Sequence, residues 1–248
     1  MSLELLLVLV RHGQTEANAA NIIQGWCDFP LTELGVSDAE KAGRAFGRAG
    51  VGFNFVCSSD LKRAHDTASL IAKNSGGVIS SEIMQMQEVR ERSFGVLERM
   101  PRGTPVEEGM RIVAEREGIP VDQVVNHGES EQQVQARAEQ FLRKLLSKGL
   151  KNGSKILCVS HGAYIKLFVS QQCNIPLQEV DRIMNCASTG IRVVSQSDGS
   201  YKCIPVRVND HDYLYVPEEG EENFVDFEGQ EDGKAAAAGL EWLKEYNI

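Results

Sequence analysis

The chain has 248 residues, 42% of them hydrophobic and 25% charged, which excludes a disordered or fibrous protein and allows one substantial core. A net charge of −9 argues against a general nucleic-acid surface. Much of that charge lies in 217–232, a stretch rich in Glu and Asp with no Lys or Arg, so the rest of the chain is close to neutral and leaves room for a local basic pocket.

Leu5 to Val10 is an unbroken apolar run without helical spacing, which predicts a strand buried on both faces of a parallel or mixed α/β sheet. It lacks a basic leader, follows Glu4 and stops after Val10, so it reads as a strand rather than a secretion signal. It is also too short to cross a bilayer, and no other stretch approaches a membrane span. Arg11 and His12 follow at the carboxyl end of this strand, where ligands of such sheets bind. Taken alone, the pattern also fits a strand that ends in a charged turn.

Ala39, Ala42, Phe46 and Ala49 recur at steps of three and four and predict a helix from near Thr32. "FNFVCSS" predicts a second strand. Leu61, Ala64, Ala68 and Ile71 predict a helix capped by a Ser or Asp. "EIMQMQEV" reads as a strand. Thr104-Pro105-Val106-Glu107 predicts a capping box with proline at the first helical position and a helix running to about Gly118. A longer helix follows near Ser130, with Val134, Ala138, Phe141, Leu142 and Leu145 on one face. "KILCVSHG" repeats the opening pattern of apolar strand, histidine and glycine, here His161 and Gly162, before the helical stretch "AYIKLFVSQQ".

"TGIRVVSQ" and "YKCIPVRV" predict two strands around a turn at 197–200. Asn152-Gly153-Ser154 reads as a turn before a strand rather than a glycosylation site. The alternation predicts a single α/β domain over 1–248, with 92–126 inserted over one end of the sheet, 217–232 solvated, and a closing helix at Ala235 to Tyr246. The six cysteines are scattered, with no CxxC pair, the pattern of reduced thiols in a cytoplasmic protein.

A P-loop and a dinucleotide fingerprint are both absent, because the glycines at 43, 47, 50 and 52 fit neither spacing. Cys158 and His161 lack a second ligand pair for zinc. What remains is two strand ends that each carry a histidine beside a glycine, and two arginines, Arg11 and Arg63, just beyond strands. Guanidinium groups grip phosphate oxygens in a bidentate way, imidazole serves as donor or nucleophile by tautomer, and the following helices aim their positive ends at an anion. Two histidines and two arginines around one cavity suit a phosphate.

"LVRHGQTEAN" closely resembles the signature of the histidine phosphatase, or phosphoglycerate mutase-like, superfamily, and further landmarks follow in the family's order. "GWCDFPLTELG" resembles its "G-x-x-D-x-P-L-T-x-x-G" segment, "SSDLKRAHDTA" its second arginine motif, "EVRERSFG" the segment carrying its acid, and "HGES" and "VSHG" complete the set. The resemblance spans Leu5 to Val194 and implies a three-layer α/β/α fold with a mostly parallel sheet.

It also implies roles. His12 would be the nucleophile that forms a phosphohistidine, and Arg11, Arg63 and His161 would hold the phosphoryl oxygens. Glu91 would protonate the leaving oxygen and later take a proton from water, which requires its carboxyl to stay protonated as the phosphate arrives. Asn18, Thr15 and Gly162 match positions that shape the phosphate pocket. No metal or cofactor is implied, since arginines supply the positive charge. His65 reads as an ordinary helix residue, His211 as structural or exposed, and Cys158 as a small core residue, while His127 fits a pocket or a loop role equally.

The implied substrate is a phosphorylated small molecule, with no nucleic-acid or membrane partner, and nothing in the pattern sets an oligomeric state. The insertion at 92–126 is short for a cofactor-dependent phosphoglycerate mutase and lacks that enzyme's paired arginines, which favours hydrolysis over mutase chemistry. "VRERSFGVLE" is similar to the corresponding segment of TIGAR-like fructose-2,6-bisphosphatases, although Glu98 is followed by Arg99 where many members have glycine. The leading expectation is therefore a metal-independent phosphatase of small metabolites, with sugar bisphosphates preferred. A phosphoprotein phosphatase, a phosphoglycerate mutase and a non-catalytic phosphate-binding protein are the alternatives; His12 and Glu91 argue against the last, since binding needs neither a nucleophile nor a proton donor.

Overall fold

The computed structural model describes residues 3–196, 198–215, 240, 242 and 243. The acidic segment 217–232 and all but three residues of the predicted closing helix lie outside the described residues. In chain order the elements are β1 (Glu4–Arg11), α1 (Glu16–Ala19), α2 (Glu33–Ala49), β2 (Phe55–Ser59), α3 (Lys62–Asn74) and β3 (Met84–Met86). They continue with α4 (Val106–Glu117), α5 (Glu131–Leu146), β4 (Ser154–Ser160), α6 (Gly162–Gln172), β5 (Ser188–Ser195) and β6 (Tyr201–Asp210).

One six-stranded sheet has the order β3-β2-β4-β1-β5-β6. β3, β2, β4 and β1 run parallel, and β5 and β6 add an antiparallel edge. Successive side chains of a strand point to opposite faces, which explains why β1 is apolar at every position. Leu5, Leu7 and Leu9 pack with Phe141 and Leu142 of α5 and Ile165 and Phe168 of α6. Leu6, Val8 and Val10 pack on the other face with Ala42 and Phe46 of α2 and Ala68 and Ile71 of α3. The result is three layers, α/β/α.

The helix ends show where local sequence decides and where it does not. Thr32 caps α2 by accepting from the Gly35 N–H at 3.1 Å, and Gly50 ends it at φ +67°. Ser130 and Gln133 form a capping box on α5.

Two predicted caps are absent. The N-cap of α3 is Leu61, with no side-chain cap; the Lys62 N–H instead donates to Asp28 Oδ1 at 3.1 Å, from a loop 34 residues earlier. Pro105 is the N-cap of α4 rather than its first helical residue, and Thr104 Oγ1 donates to the Pro101 carbonyl at 2.8 Å, so no capping box forms. β3 is shorter than its apolar stretch because Gln87–Val89 turns into a 3₁₀ turn.

Residues 92–126 form a 3₁₀ turn at Gly95–Leu97, α4 and a 3₁₀ turn at Val121–Gln123, tied to the loop after α1 by an isolated bridge between Pro101 and Ile22. Arg99 adopts φ +71°, a conformation that favours glycine, and is held there by its N–H donating to the Ile23 carbonyl at 2.8 Å.

Candidate active site

β1 and β4 are neighbours in register, with Arg11 opposite Ser160, so His12 and His161 leave the sheet side by side. Their ring centroids are 5.2 Å apart. Both are buried. Nδ1 of His12 lies 2.7 Å from the Gly13 carbonyl, which can only accept, so the proton sits on Nδ1 and Nε2 keeps its lone pair. Burial, followed by the charges of Arg63 and Arg11, holds His12 well below the usual 6.5. His161 is pushed down in the same way, by burial and then by Arg63, His12, Arg11 and Arg137.

The loop after β1 leaves no room for a side chain at Gly13. A Cβ on Gly13 would stand 2.5 Å from the Gly35 carbonyl oxygen, and the Gly13 N–H donates to Thr67 Oγ1 at 3.0 Å. Arg11 donates from Nη1 to the Ile183 carbonyl at 2.7 Å, and burial lowers it to about 10. Arg63, in the first turn of α3, donates from Nη1 and Nη2 to the carbonyls of Cys27 and Gly25, at 2.7 Å each, which fixes the loop over the site. Burial lowers its pKa as well.

Buried polar groups are normally hydrogen-bonded, and here several are not. Nε of Arg11, Nε of Arg63, Nδ2 of Asn18 and both ring nitrogens of His161 have no hydrogen-bond partner among the described residues. These groups belong to one cluster, built from the ends of β1 and β4 and the starts of α1 and α3. Such a set fits an anion with several oxygens.

Glu91 lies on the loop after the 3₁₀ turn that follows β3. Its carboxylate accepts from the Arg92 N–H at 2.9 Å, and from the Ala163 and Tyr164 N–H groups in the first turn of α6 at 3.2 and 2.9 Å. That is the anion-favouring end of the helix.

A cavity of about 240 Å³ is lined by Arg11, His12, Asn18, Arg63, Glu91 and Gly162 among others. A Cβ at Gly162 would stand 3.2 Å from Arg11 Nε. Thr15 and His161 do not line the cavity: Thr15 is buried behind Asn18, caps α1 and bonds Gln24 Oε1 at 2.9 Å, and His161 lies fully buried against His12. Of the other histidines, His65 is on α3, 3.4 Å from Ser58 Oγ, while His127 and His211 lie outside the lining.

Sequence reasoning missed Gln24, Phe94, Arg102, Lys166 and Arg182, all of which line the cavity. The last three raise its cationic side chains to five, against the single carboxylate of Glu91. None of the three has a carboxylate partner among the described residues. A cluster of three or more His, Cys, Asp or Glu that could hold a metal ion is absent among the described residues.

Residues 7–210 match the family profile of the histidine phosphatase superfamily, branch 1. A 2,3-bisphosphoglycerate-dependent phosphoglycerate mutase from Parvibaculum lavamentivorans is 31% identical over 198 residues, 78% of this chain and 90% of the relative. The crystal structure of phosphoglycerate mutase from Bacillus anthracis superposes with a TM-score of 0.65 at 24% identity, covering 86% of this chain and 96% of that one. A mycobacterial glucosyl-3-phosphoglycerate phosphatase gives a TM-score of 0.65 at 24% identity, covering 82% and 98%.

Proposed function

Since the chain belongs to the histidine phosphatase superfamily, branch 1, and is an enzyme of that superfamily, we propose that it hydrolyses phosphate monoesters of small metabolites, with sugar bisphosphates preferred, through a phosphohistidine on His12. The observation that carries this reading is the cluster of buried, unpartnered donors beside a histidine whose Nδ1 is already bonded to the Gly13 carbonyl. Nε2 of His12 attacks phosphorus as the bond to the leaving oxygen breaks, and Glu91, a hydrogen-bond acceptor in the free enzyme, takes up a proton as the charge of the phosphate arrives and gives it to that oxygen. Water then attacks the phosphohistidine, its proton passes to Glu91, and inorganic phosphate leaves. Arg11, Arg63, Asn18 and the Gly162 N–H, on the cavity lining, stabilise the charge on the equatorial oxygens, and His161, behind them against His12 with both ring nitrogens unpartnered, adds a donor once the phosphoryl group is bonded to His12.

Arg102, Lys166 and Arg182 support the preference for a substrate with a second anionic group, because one phosphate does not need five cations. The same reading takes 1–248 as one domain with 92–126 as its lid. A cytoplasmic location is supported by six cysteines that are all free thiols. No helix among the described residues is long and apolar enough to cross a membrane.

A phosphoglycerate mutase is the second reading, favoured by curated relatives of that name at 31–33% identity. One experiment separates the two: phosphate release from phosphorylated metabolites and phosphopeptides, and interconversion of 2- and 3-phosphoglycerate with added 2,3-bisphosphoglycerate, by wild type and His12→Ala in the presence of a chelator. The expected result is chelator-insensitive release from a sugar bisphosphate, with an acid-labile phosphoenzyme that is missing in His12→Ala. Interconversion without net release establishes the mutase instead, and release from phosphopeptides alone overturns the metabolite assignment.

A further inference from the structure

We propose that Arg137 and Glu129 are positioning residues that fix the loop carrying Glu91 and thereby set its proton transfer to the leaving group; this rests on the phosphohistidine reading above. Neither residue lines the cavity. β3 ends at Met86, and Glu91 is carried by a 3₁₀ turn and a loop, without a sheet ladder to hold it. Something else has to fix its backbone, because proton transfer demands placement within hydrogen-bond reach of the leaving oxygen.

The Arg137 guanidinium, on α5, meets that need. Nη1 donates to the Glu88 and Arg90 carbonyls at 2.8 and 3.1 Å, and Nη2 donates to the Glu91 carbonyl at 3.2 Å. The remaining edge is held by Glu129, with Nε to Oε1 and Nη2 to Oε2 at 2.8 Å each. Glu129 also grips the strand of loop beyond Glu91, since Oε2 accepts from the Ser93 N–H at 2.9 Å and its backbone carbonyl accepts from Arg92 Nε at 2.8 Å. The pair is largely buried, with side chains 17% and 13% exposed, so the contacts are little weakened by solvent.

Trp26 adds a second grip on the same carbonyl. Trp26 Nε1 donates to the Glu91 carbonyl at 2.8 Å, and the Arg90 guanidinium, paired with Asp60, stacks 4.9 Å from the Trp26 ring. The carboxyl end is held by α6, and Arg137 lies 5.6 Å over the ring of Tyr164, whose N–H donates to Glu91 Oε1. One guanidinium therefore touches both the loop that carries the acid and the helix that receives it. The five bonds require a planar fork, which a lysine ammonium cannot supply.

The test compares kcat/KM, which reports the steps through phosphoryl transfer to His12, on an alkyl phosphate and on p-nitrophenyl phosphate. An alkoxide needs a proton to leave, whereas p-nitrophenolate does not. Arg137→Lys and Glu129→Gln are expected to lower kcat/KM on the alkyl phosphate by about tenfold to hundredfold and on p-nitrophenyl phosphate by less than about threefold. The double variant Arg137→Gln/Glu129→Gln should be no worse than Arg137→Gln, because the pair acts as a unit. Parallel loss on both substrates, or no loss on either, overturns the proposal by assigning the pair to stability alone. Glu91→Gln on the same two substrates keeps the readings apart. If it shows no dependence on the leaving group, the acid assignment fails; if it does and Arg137→Lys does not, only the positioning role fails.

Discussion

The rings of His12 and His161 lie 5.2 Å apart and tilted by 60°, one with its Nδ1 proton tied to a carbonyl and the other with both nitrogens unpartnered. Both are held well below 6.5, so the folded protein keeps two neutral imidazoles where the unfolded chain would protonate them. The unfolded state thus binds more protons below pH 6.5, and stability falls as pH falls from there towards the folded values. Above pH 6.5 this contribution is fully present. The slope rises from near zero above pH 7.5 towards a limit of about 1.4 kcal/mol per pH unit for each imidazole well below pH 6.5. Urea midpoints between pH 5.5 and 7.5 should show it in the wild type, and His12→Asn should remove about half of the part due to the pair. An unchanged slope in His12→Asn would show that His12 titrates normally in the fold.

The close approach of Gly13 to Gly35 makes the loop after β1 intolerant of a single methyl group. A Cβ on Gly13 meets the Gly35 carbonyl oxygen at 2.5 Å; the oxygen belongs to the backbone and a Cβ is fixed in place by its own backbone, so neither can swing away. Gly13→Ala is expected to cost about 1–3 kcal/mol, as overpacking does, and to move the carbonyl that fixes the His12 tautomer. Thermal unfolding and kcat should therefore fall together. A fully active, equally stable Gly13→Ala protein would show that the two loops separate freely.

How much of this was legible in the sequence depends on distance along the chain. Arg11, His12 and His161 were legible because each sits at the end of an apolar strand, and Arg63 because it falls just beyond one, both local patterns, and the motif order added Glu91. The two layers of the core followed from β1 being apolar at every position. The cap on the N-terminus of α3 was not legible, since Asp28 reaches Lys62 from 34 residues away. Arg102, Lys166 and Arg182 come from the insertion, from α6 and from the loop before β5, and none carries a local signal. Arg137 sits among other charged residues on an amphipathic helix, where only the fold distinguishes it from a solvated arginine.

Arg99 offers a test of backbone strain in residues 92–126. Its φ of +71° costs an ordinary residue about 1 kcal/mol relative to glycine, while its guanidinium stacks 5.3 Å from the Phe29 ring. Arg99→Ala loses the stacking and keeps the strain; Arg99→Gly loses the stacking and relieves it. The glycine variant should therefore be more stable than the alanine variant by about 1 kcal/mol in urea unfolding. The reverse order would place this backbone outside the left-handed region.

The five cations of the cavity divide by exposure, and salt should tell them apart. Arg11 and Arg63 are buried, whereas Arg102 and Arg182 are exposed and Lys166 is half-buried. Exposed charges are screened over a Debye length of about 8 Å at physiological ionic strength, and buried ones much less. If the outer cations receive a second anionic group, they bind the ground state and the transition state alike, so their loss raises KM and leaves kcat unchanged. Arg102→Ala and Arg182→Ala should each raise KM for a sugar bisphosphate roughly two- to fivefold, the size of an exposed charge contact. KM for the corresponding monophosphate should not change. Added salt should raise the wild-type KM for the bisphosphate and have little further effect on the double variant Arg102→Ala/Arg182→Ala. Equal effects on mono- and bisphosphate would place these arginines in general electrostatic steering rather than at a second phosphate, and the bisphosphate preference would then lose its physical basis.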